Sequence, residues 1–542
     1  MSPRLDTRAG ALAIVAAIVL SVLGAATIVY ATAQGPWAFS DSAAYIGSAI
    51  NFAQGKGLGL VQASGDFSPL THYPPGYSLV LSIAAFLHID VLHLARWLDV
   101  SLFGSLLLMV SLLVYRYSSS LWLSILVPAV IVTSPVLVYQ FSGATSEPLF
   151  IFLAMAGVFV LAEGLSTGRG RFYVLAGCLA GLATLVRYAG VFLIVAGLAL
   201  IALLAPGRFQ RRVASIAEFV SPALLLVLVW FVAASGMVDS QPARLLAIPR
   251  GSLWEASRLF RAELADTLWR LSSFSMSVPH PPYWLIHLAW VTALLTAFVL
   301  GVWVVARERR KLQPEAPGGR SMGLLVALLS SYVVVYLGTL AMAHLFTLPT
   351  PDVNERILSP ALVPAWLVVA LAVPAAVRAR PRLRFFPIIP LLLSAGLILR
   401  TAPSALETIE HLHADGDGYT SRAWRQSETV EALRSLPVST PIITNEGAAL
   451  LLLTGRTAYD LPQVQAGERR TNFDRFGDDP SGIAERAFRR EGGALILFDS
   501  VLGQLRSTYG EEASVRLAEL TRGLELSGRF ADGAIYFYPQ TD

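Results

Sequence analysis

Eight side chains of the types that move protons or hold anions stand beside the ends of apolar runs. They are Asp41 and Tyr45 in "FSDSAAYIG", His72 and Tyr73 in "THYPPGY", Glu147 in "SGATSEPLF", Arg187 and Tyr188 in "LVRYAG", and Arg356 in "PDVNERIL". A carboxylate within hydrogen-bond reach of a hydroxyl can take its proton, which suits Asp41; Glu147 joins it as the second candidate catalytic acid. The planar forks of Arg187 and Arg356 match a phosphate group, and Tyr45, His72, Tyr73 and Tyr188 can line the same site. Each residue also has a plainer reading. Asp41 as a helix cap contributes about 1 kcal/mol to its helix. Glu147 can meet the positive end of a helix dipole, Arg187 can snorkel to an interface, and Arg356 can pair locally with Glu355 or Asp352. Charged groups beside membrane segments are costly to desolvate and mark cavities or pathways, so their gathering at one boundary favours a site over eight separate accidents.

The elements that must position these residues follow from composition. Of 542 residues 55% are hydrophobic and only 14% are charged, which is the make-up of a membrane protein. The net charge of +4 comes from arginines clustered in short loops and forms no basic stripe interleaved with aromatics, so no nucleic-acid partner is expected. The single cysteine, Cys178, excludes an intrachain disulfide framework and a cysteine-based zinc site. The first apolar run exceeds the ~7 to 15 residues of a cleavable signal and is expected to stay as a crossing. Crossings are expected near residues 10–33, 94–115, 121–139, 148–165, 173–187, 189–205, 213–235, 284–306, 322–345, 357–376 and 384–401, eleven in all. Residues 173–205 as one helix would run roughly 50 Å against a hydrocarbon core of ~30 Å, so two short crossings turning at Arg187 are expected.

Arg4 and Arg8, Arg116, the "ARERRKLQ" loop and "RARPRLR" all fall on one side, which the positive-inside rule makes cytoplasmic. The N-terminus is then cytoplasmic, and the C-terminal part lies outside. The expected fold is a polytopic all-α membrane domain over residues 1–401, with amphipathic helices in a first outer loop at 34–93. A small extracytoplasmic α/β domain at 402–542 follows. In that domain "TPIITNEG", "GGALILFDS" and "GAIYFYP" read as strands and "SGIAERAFRREGG" as a helix. Ser40 and Asp41 stand where an N-cap is expected, and Ala43, Ile46, Ile50 and Ala53 recur at helical spacing before "GKG". "GKGLGL" is read as a flexible loop, "HLHADGDG" as a linker, and "SVPHPPYW" as an interfacial anchor through Tyr283 and Trp284.

The ordered set "SDSAAYIGSAINFAQGKG", "HYPPGYSLVLS", "SEPLF" and "LAGLATLVRYAG" resembles the GT-C superfamily of integral-membrane glycosyltransferases, which includes the lipid A aminoarabinose transferases and protein O-mannosyltransferases. The resemblance covers roughly residues 10–400, and "PIITNEGAALLLLTGRTAYDLP" is similar to the C-terminal domain of bacterial members. Two differences stand out: Ser42 follows Asp41 where the O-mannosyltransferases have a glutamate, and Tyr73 precedes Pro74-Pro75 where the lipid A enzymes have lysine. The resemblance implies inverting transfer of a sugar from a polyprenyl-phosphate carrier to an acceptor hydroxyl of a lipid, glycan or protein on the outer face of the cytoplasmic membrane. It also implies that Asp41 is the general base. Some members use a divalent metal, and Mg or Mn held by Asp41 and Glu147 is one possibility here. Two other classes compete: a lipid or lipid-linked-sugar transporter or flippase, and a non-enzymatic membrane scaffold. Transporters favour midplane sites and matched broken helices, whereas the charges here group at one boundary. The C-terminal domain is expected to guide the acceptor or cover the site.

Overall fold

The computed structural model describes residues 7–235, 245–246, 253–271, 282–311, 321–348, 351–379, 388–461, 475–476, 482–490 and 492–539. Residues 277–281 of "SVPHPPYW" lie outside the described residues; Tyr283 and Trp284, at the start of a helix, are exposed. The chain divides into two compact units, Met1–Ala33 with Thr71–Tyr77 and Ala95–His413, and Gln34–Leu70 with Ser78–Leu94 and Ala414–Asp542.

The first unit is a helical bundle. Its long helices are α1 (Thr7–Ala31), α4 (Val91–Ser118), α7 (Glu147–Thr167), α10 (Phe209–Ser235), α12 (Tyr283–Lys311), α13 (Met322–Phe346), α14 (Glu355–Ala379) and α15 (Ile388–Ala414). Among the described residues these eight are long and apolar enough to cross a membrane, and the chain is a multi-pass membrane protein. Shorter helices stand between them: α5 (Leu121–Val132), α6 (Pro135–Gln140), α8 (Gly170–Val186) and α9 (Val191–Leu204), with an amphipathic α11 (Leu253–Leu271) and the two-residue pair β3 (Leu245–Leu246) and β4 (Thr347–Leu348).

Two helix breaks have clear local causes. The segment read as one crossing at 121–139 is instead α5 followed by α6, because Ser134 caps a new helix by accepting from Leu137 N at 3.3 Å and Pro135 occupies its first turn. The segment 173–205 divides as α8 and α9 around a 3₁₀ turn at Tyr188–Gly190, with Arg187 in extended backbone at φ −146°. The helix begun at Ile388 continues unbroken to Ala414, past the boundary expected near residue 401.

The second unit combines α2 (Ser40–Ala53), the hairpin β1 (Gly59–Val61) and β2 (Phe67–Pro69), most of α3 (Gly76–Phe86), and the C-terminal part of the chain. That part holds α16 (Arg422–Arg425), α17 (Glu428–Arg434), β5 (Ile442–Thr444), α18 (Gly447–Thr454), β6 (Tyr459–Asp460), α19 (Ile483–Arg490), β7 (Ala494–Phe498), α20 (Ser500–Tyr509), α21 (Ala513–Thr521), β8 (Glu525–Phe530) and β9 (Gly533–Phe537). The strands form one sheet in the order β6-β5-β7-β9-β8, with β6, β5 and β7 parallel and β9 antiparallel to both neighbours. All five residues of β7 are buried. Leu495 and Leu497 pack with Phe488, Leu505 and Tyr509 on one face, and Ala494, Ile496 and Phe498 with Val430, Leu433 and Leu450 on the other. The two-residue period of a strand thus builds two cores, and helices cover both faces of the sheet.

Candidate active site

Glu147 is the first residue of α7, fully buried, and it does more than meet a helix dipole. Its Oε1 takes an ion pair from Arg187 Nη1 at 2.7 Å and another from Arg356 Nε. Arg187 Nη1 also donates to Ser146 Oγ at 3.1 Å. Arg356 reaches across 209 residues of sequence, while the neighbouring Glu355 pairs with Arg270 at 3.2 Å. The two arginine side chains are 18% and 23% exposed, whereas the carboxylate is fully buried. The three groups together carry one net positive charge, held by a scaffold that fixes both forks. Such an arrangement can receive a doubly charged phosphate without first gathering its own cations.

The segment containing His72 and Tyr73 lies against the α8–α9 turn. Tyr188 OH donates to Thr71 O at 3.3 Å and accepts from Trp230 Nε1 at 3.3 Å. A side chain on Gly76 would place its Cβ 2.7 Å from Leu185 O, so this close approach admits only glycine. His72 and Tyr73 meet edge to face, their ring centroids 4.5 Å apart, and His72 is exposed. The structure therefore places six of the residues singled out from sequence, His72, Tyr73, Glu147, Arg187, Tyr188 and Arg356, in the first unit. Asp41 and Tyr45 belong to the second.

Beside the ion pairs is an aromatic layer. Phe150, one turn along α7 from Glu147, faces Phe192 at 6.3 Å, and Phe192 packs against Tyr332 at 4.6 Å and Tyr336 at 5.1 Å. Tyr336 OH donates to Ile357 O, next in the chain to Arg356. All four rings are buried, as is the Glu147 carboxylate, and a buried setting strengthens its ion pairs.

Asp99 was not among the residues singled out. It is fully buried in α4, neither carboxylate oxygen has a hydrogen-bond partner among the described residues, and the charge of Glu147 acts on it. Its signal was present in the sequence: an aspartate inside the crossing expected at 94–115.

In the second unit, α2 starts at Ser40, one residue earlier than a cap formed by Ser40 or Asp41 allows. Phe39 takes the N-cap position, and its N–H donates to Ser42 Oγ at 3.2 Å. Asp41 therefore sits within the first turn, half-buried, where the helix dipole favours a negative charge. Tyr45, one turn on, is buried. As a seat for a cation, Glu147 fits poorly: two guanidinium groups already face Oε1 and would repel the ion. Among the described residues no three His, Cys, Asp or Glu side chains gather as a ligand set.

No family model and no curated protein matches the sequence. Among solved structures, the chain is similar to ArnT from Cupriavidus metallidurans bound to undecaprenyl phosphate, with 13% identity, a TM-score of 0.49 and coverage of 97% of this chain and 98% of that one. It is also similar to the Archaeoglobus fulgidus oligosaccharyltransferase AglB in complex with an inhibitory peptide and a dolichol-phosphate, with 12% identity, a TM-score of 0.47 and coverage of 97% and 74%. A third is the mycobacterial arabinofuranosyltransferase AftD, with 15% identity, a TM-score of 0.48 and coverage of 96% and 40%. Identities this low do not carry side-chain roles from one chain to another.

Proposed function

We propose that this protein is a GT-C-type glycosyltransferase that moves a sugar from a polyprenyl-phosphate carrier to an acceptor hydroxyl, with inversion, at the outer face of the cytoplasmic membrane. The observation that carries this reading is the buried Glu147 holding Arg187 and Arg356 by one oxygen. In the proposed course, Asp41 takes the acceptor proton as the acceptor oxygen attacks the anomeric carbon. The bond from that carbon to the phosphate oxygen breaks, and its electron pair leaves with the phosphate. A well-placed base is worth ~100-fold to 10,000-fold. The charge growing on the phosphate falls to Arg187 and Arg356, whose forks are oriented before the reaction begins. No metal is given a step, because Glu147, one of the two residues that would share it, already faces two guanidinium groups. Tyr45, His72, Tyr73 and Tyr188 are assigned to substrate contacts. An apolar groove of about 720 Å³ between α12 and α14, lined by Leu288, Thr292 and Ala376 among others, has room for part of an isoprenoid tail.

The test is transfer of labelled sugar from a panel of polyprenyl-phosphate sugars in membranes carrying wild type or Asp41→Asn at matched expression. Product from wild type alone supports the reaction and the base. Equal product from both returns Asp41 to a purely structural place at the helix start. Lipid flipping or energy-dependent uptake by the purified protein in vesicles, without transfer, would replace the reading with transport.

A further inference from the structure

The stretch "HLHADGDG" reads as a linker from its sequence, yet its last residues, with Tyr419 and Thr420, are hydrogen-bonded within the second unit. Residues 415–420 follow α15 and run beside the chain that leads into α2. Gly418 forms a parallel bridge with Ala38. Tyr419 N–H donates to Ala38 O at 2.7 Å, and Thr420 Oγ1 donates to Pro36 O at 2.7 Å. Only glycine fits at 418: the backbone is left-handed at φ +59°, and a Cβ would lie 2.1 Å from Ala38 O. The other end of this contact is anchored in the sheet. Tyr419 OH donates to Glu446 Oε2 at 3.0 Å, and Glu446, just past the carboxyl end of β5, also accepts from Ser500 Oγ at 2.6 Å and from Gln504 Nε2 at 3.1 Å. Tyr419 thus ties the α/β core to the approach of α2 with its side chain at one end and its backbone at the other.

Asp41 lies three residues beyond Ala38. Between them, Phe39 N–H is bonded to Ser42 Oγ at 3.2 Å, so the Ala38–Phe39 peptide, two residues before Asp41, is held at its carbonyl by Tyr419 and at its N–H by Ser42. The body of α2 also rests on the C-terminal part: a Cβ on Gly47 would meet Leu451 of α18 at 3.4 Å and Leu60 at 2.6 Å. We propose that residues 415–420, with Tyr419 as the tie, form a strap that sets the position of Asp41, so that the C-terminal α/β domain is the seat of the catalytic base. This rests on the reading of Asp41 given above. It changes the role expected of the domain from guiding an acceptor to holding the base. Burial, followed by the charges of Glu446 and Asp460, pushes the Tyr419 phenol above its ordinary range, which keeps it the neutral donor that the tie requires.

The experiment uses the full chain in lipid nanodiscs and compares wild type with Gly418→Ala, Thr420→Val, Thr420→Ser and Asp41→Asn. It reads amide hydrogen exchange over residues 38–53 together with kcat and KM for a polyprenyl-phosphate sugar. In Gly418→Ala and Thr420→Val, exchange over 38–53 is expected to rise about 10-fold or more while residues 147–167 stay as in wild type. A displaced base lowers kcat by about 10- to 100-fold with KM for the donor held within about twofold. Thr420→Ser, which keeps the hydroxyl, restores both readouts. Should Gly418→Ala fail to fold, Thr420→Val and Tyr419→Phe carry the comparison. Unchanged exchange over 38–53 overturns the strap. Raised exchange with wild-type kcat, when Asp41→Asn is inactive, overturns its positioning role. If Asp41→Asn itself transfers at the wild-type rate, the proposed reaction fails while the exchange result still decides whether the strap holds α2.

Discussion

Replacing Glu147 by glutamine removes one negative charge and almost no volume, so it isolates what the carboxylate does for the two arginines. The wild-type contacts are an ion pair at 2.7 Å to Arg187 and another to Arg356, both on a fully buried oxygen. Two unit charges 4 Å apart at an effective dielectric constant of ~20 attract by about 4 kcal/mol. Part of that is offset by the cost of keeping the carboxylate from water, and removing one partner of a buried pair typically costs about 3 to 5 kcal/mol. Both arginine side chains are partly exposed, so the loss is discounted to about 2 to 4 kcal/mol. Applied to the transition state, this is a factor of roughly 30 to 1,000 in kcat. KM should behave differently. Glutamine leaves two cations and no anion, so attraction for the donor phosphate is not weakened, and KM for the donor should stay level or fall. The assay is initial-rate transfer of labelled sugar at varied donor, with wild type and Glu147→Gln at matched expression. A raised KM with unchanged kcat would show that Glu147 contacts the donor itself, and unchanged values of both would remove the three groups from the reaction.

Three further outcomes are expected. Gly76→Ala should lower the melting temperature in detergent by several degrees, because the new Cβ would press on Leu185 O at 2.7 Å; an unshifted melting curve would show that the turn yields freely. Asp99→Asn should hold or raise the melting temperature, since the carboxylate oxygens have no hydrogen-bond partner among the described residues; a clear fall would reveal a partner for the charge. The raised phenol of Tyr419 means that the folded state holds its proton more tightly than the unfolded chain. Its contribution is therefore complete below the ordinary tyrosine value near pH ~10 and is lost as pH rises beyond it. The stability gap between wild type and Tyr419→Phe should accordingly narrow above that pH in parallel thermal scans, and a gap constant up to pH ~11 would count against the tie.

Much of the fold was legible because membrane crossings and buried strands announce themselves by local composition. The length of the apolar run at 173–205 required a break, and the structure places one at Arg187. The strand segments in "PIITN", "ALILF" and "AIYF" carry the continuous apolar runs of a buried sheet, and they form β5, β7 and β9. What was not legible was set by partners distant in sequence. Nothing near Arg356 signals that its fork reaches Glu147 when Glu355 and Asp352 are so much closer along the chain. "HLHADGDG" reads as a linker because its glycines are flexible in isolation, and the close approach of the Ala38 carbonyl to Gly418 comes from a segment far away in sequence. The break before Pro135 was available from the Ser134-Pro135 pair, but it was masked by the continuous hydrophobicity around it.

The positions of the three charged groups on their helices make the trio unequal. Glu147 begins α7, where the dipole welcomes an anion, and Arg187 follows the last residue of α8, where the dipole welcomes a cation. Arg356 is the second residue of α14, at the end of a helix that disfavours its charge. The helix end at Arg187 therefore supports its charge independently of Glu147. By the helix ends alone, Arg356 gains more from the carboxylate than Arg187 does. In a double-mutant cycle, Arg356→Ala should lower transfer strongly in the wild type and only slightly when Glu147 is already glutamine, because the fork has by then lost its order. Arg187→Ala should cost nearly as much in either background. Equal, additive losses for the two arginines would mean that the helix ends do not set their roles, and that Glu147 holds both forks alike.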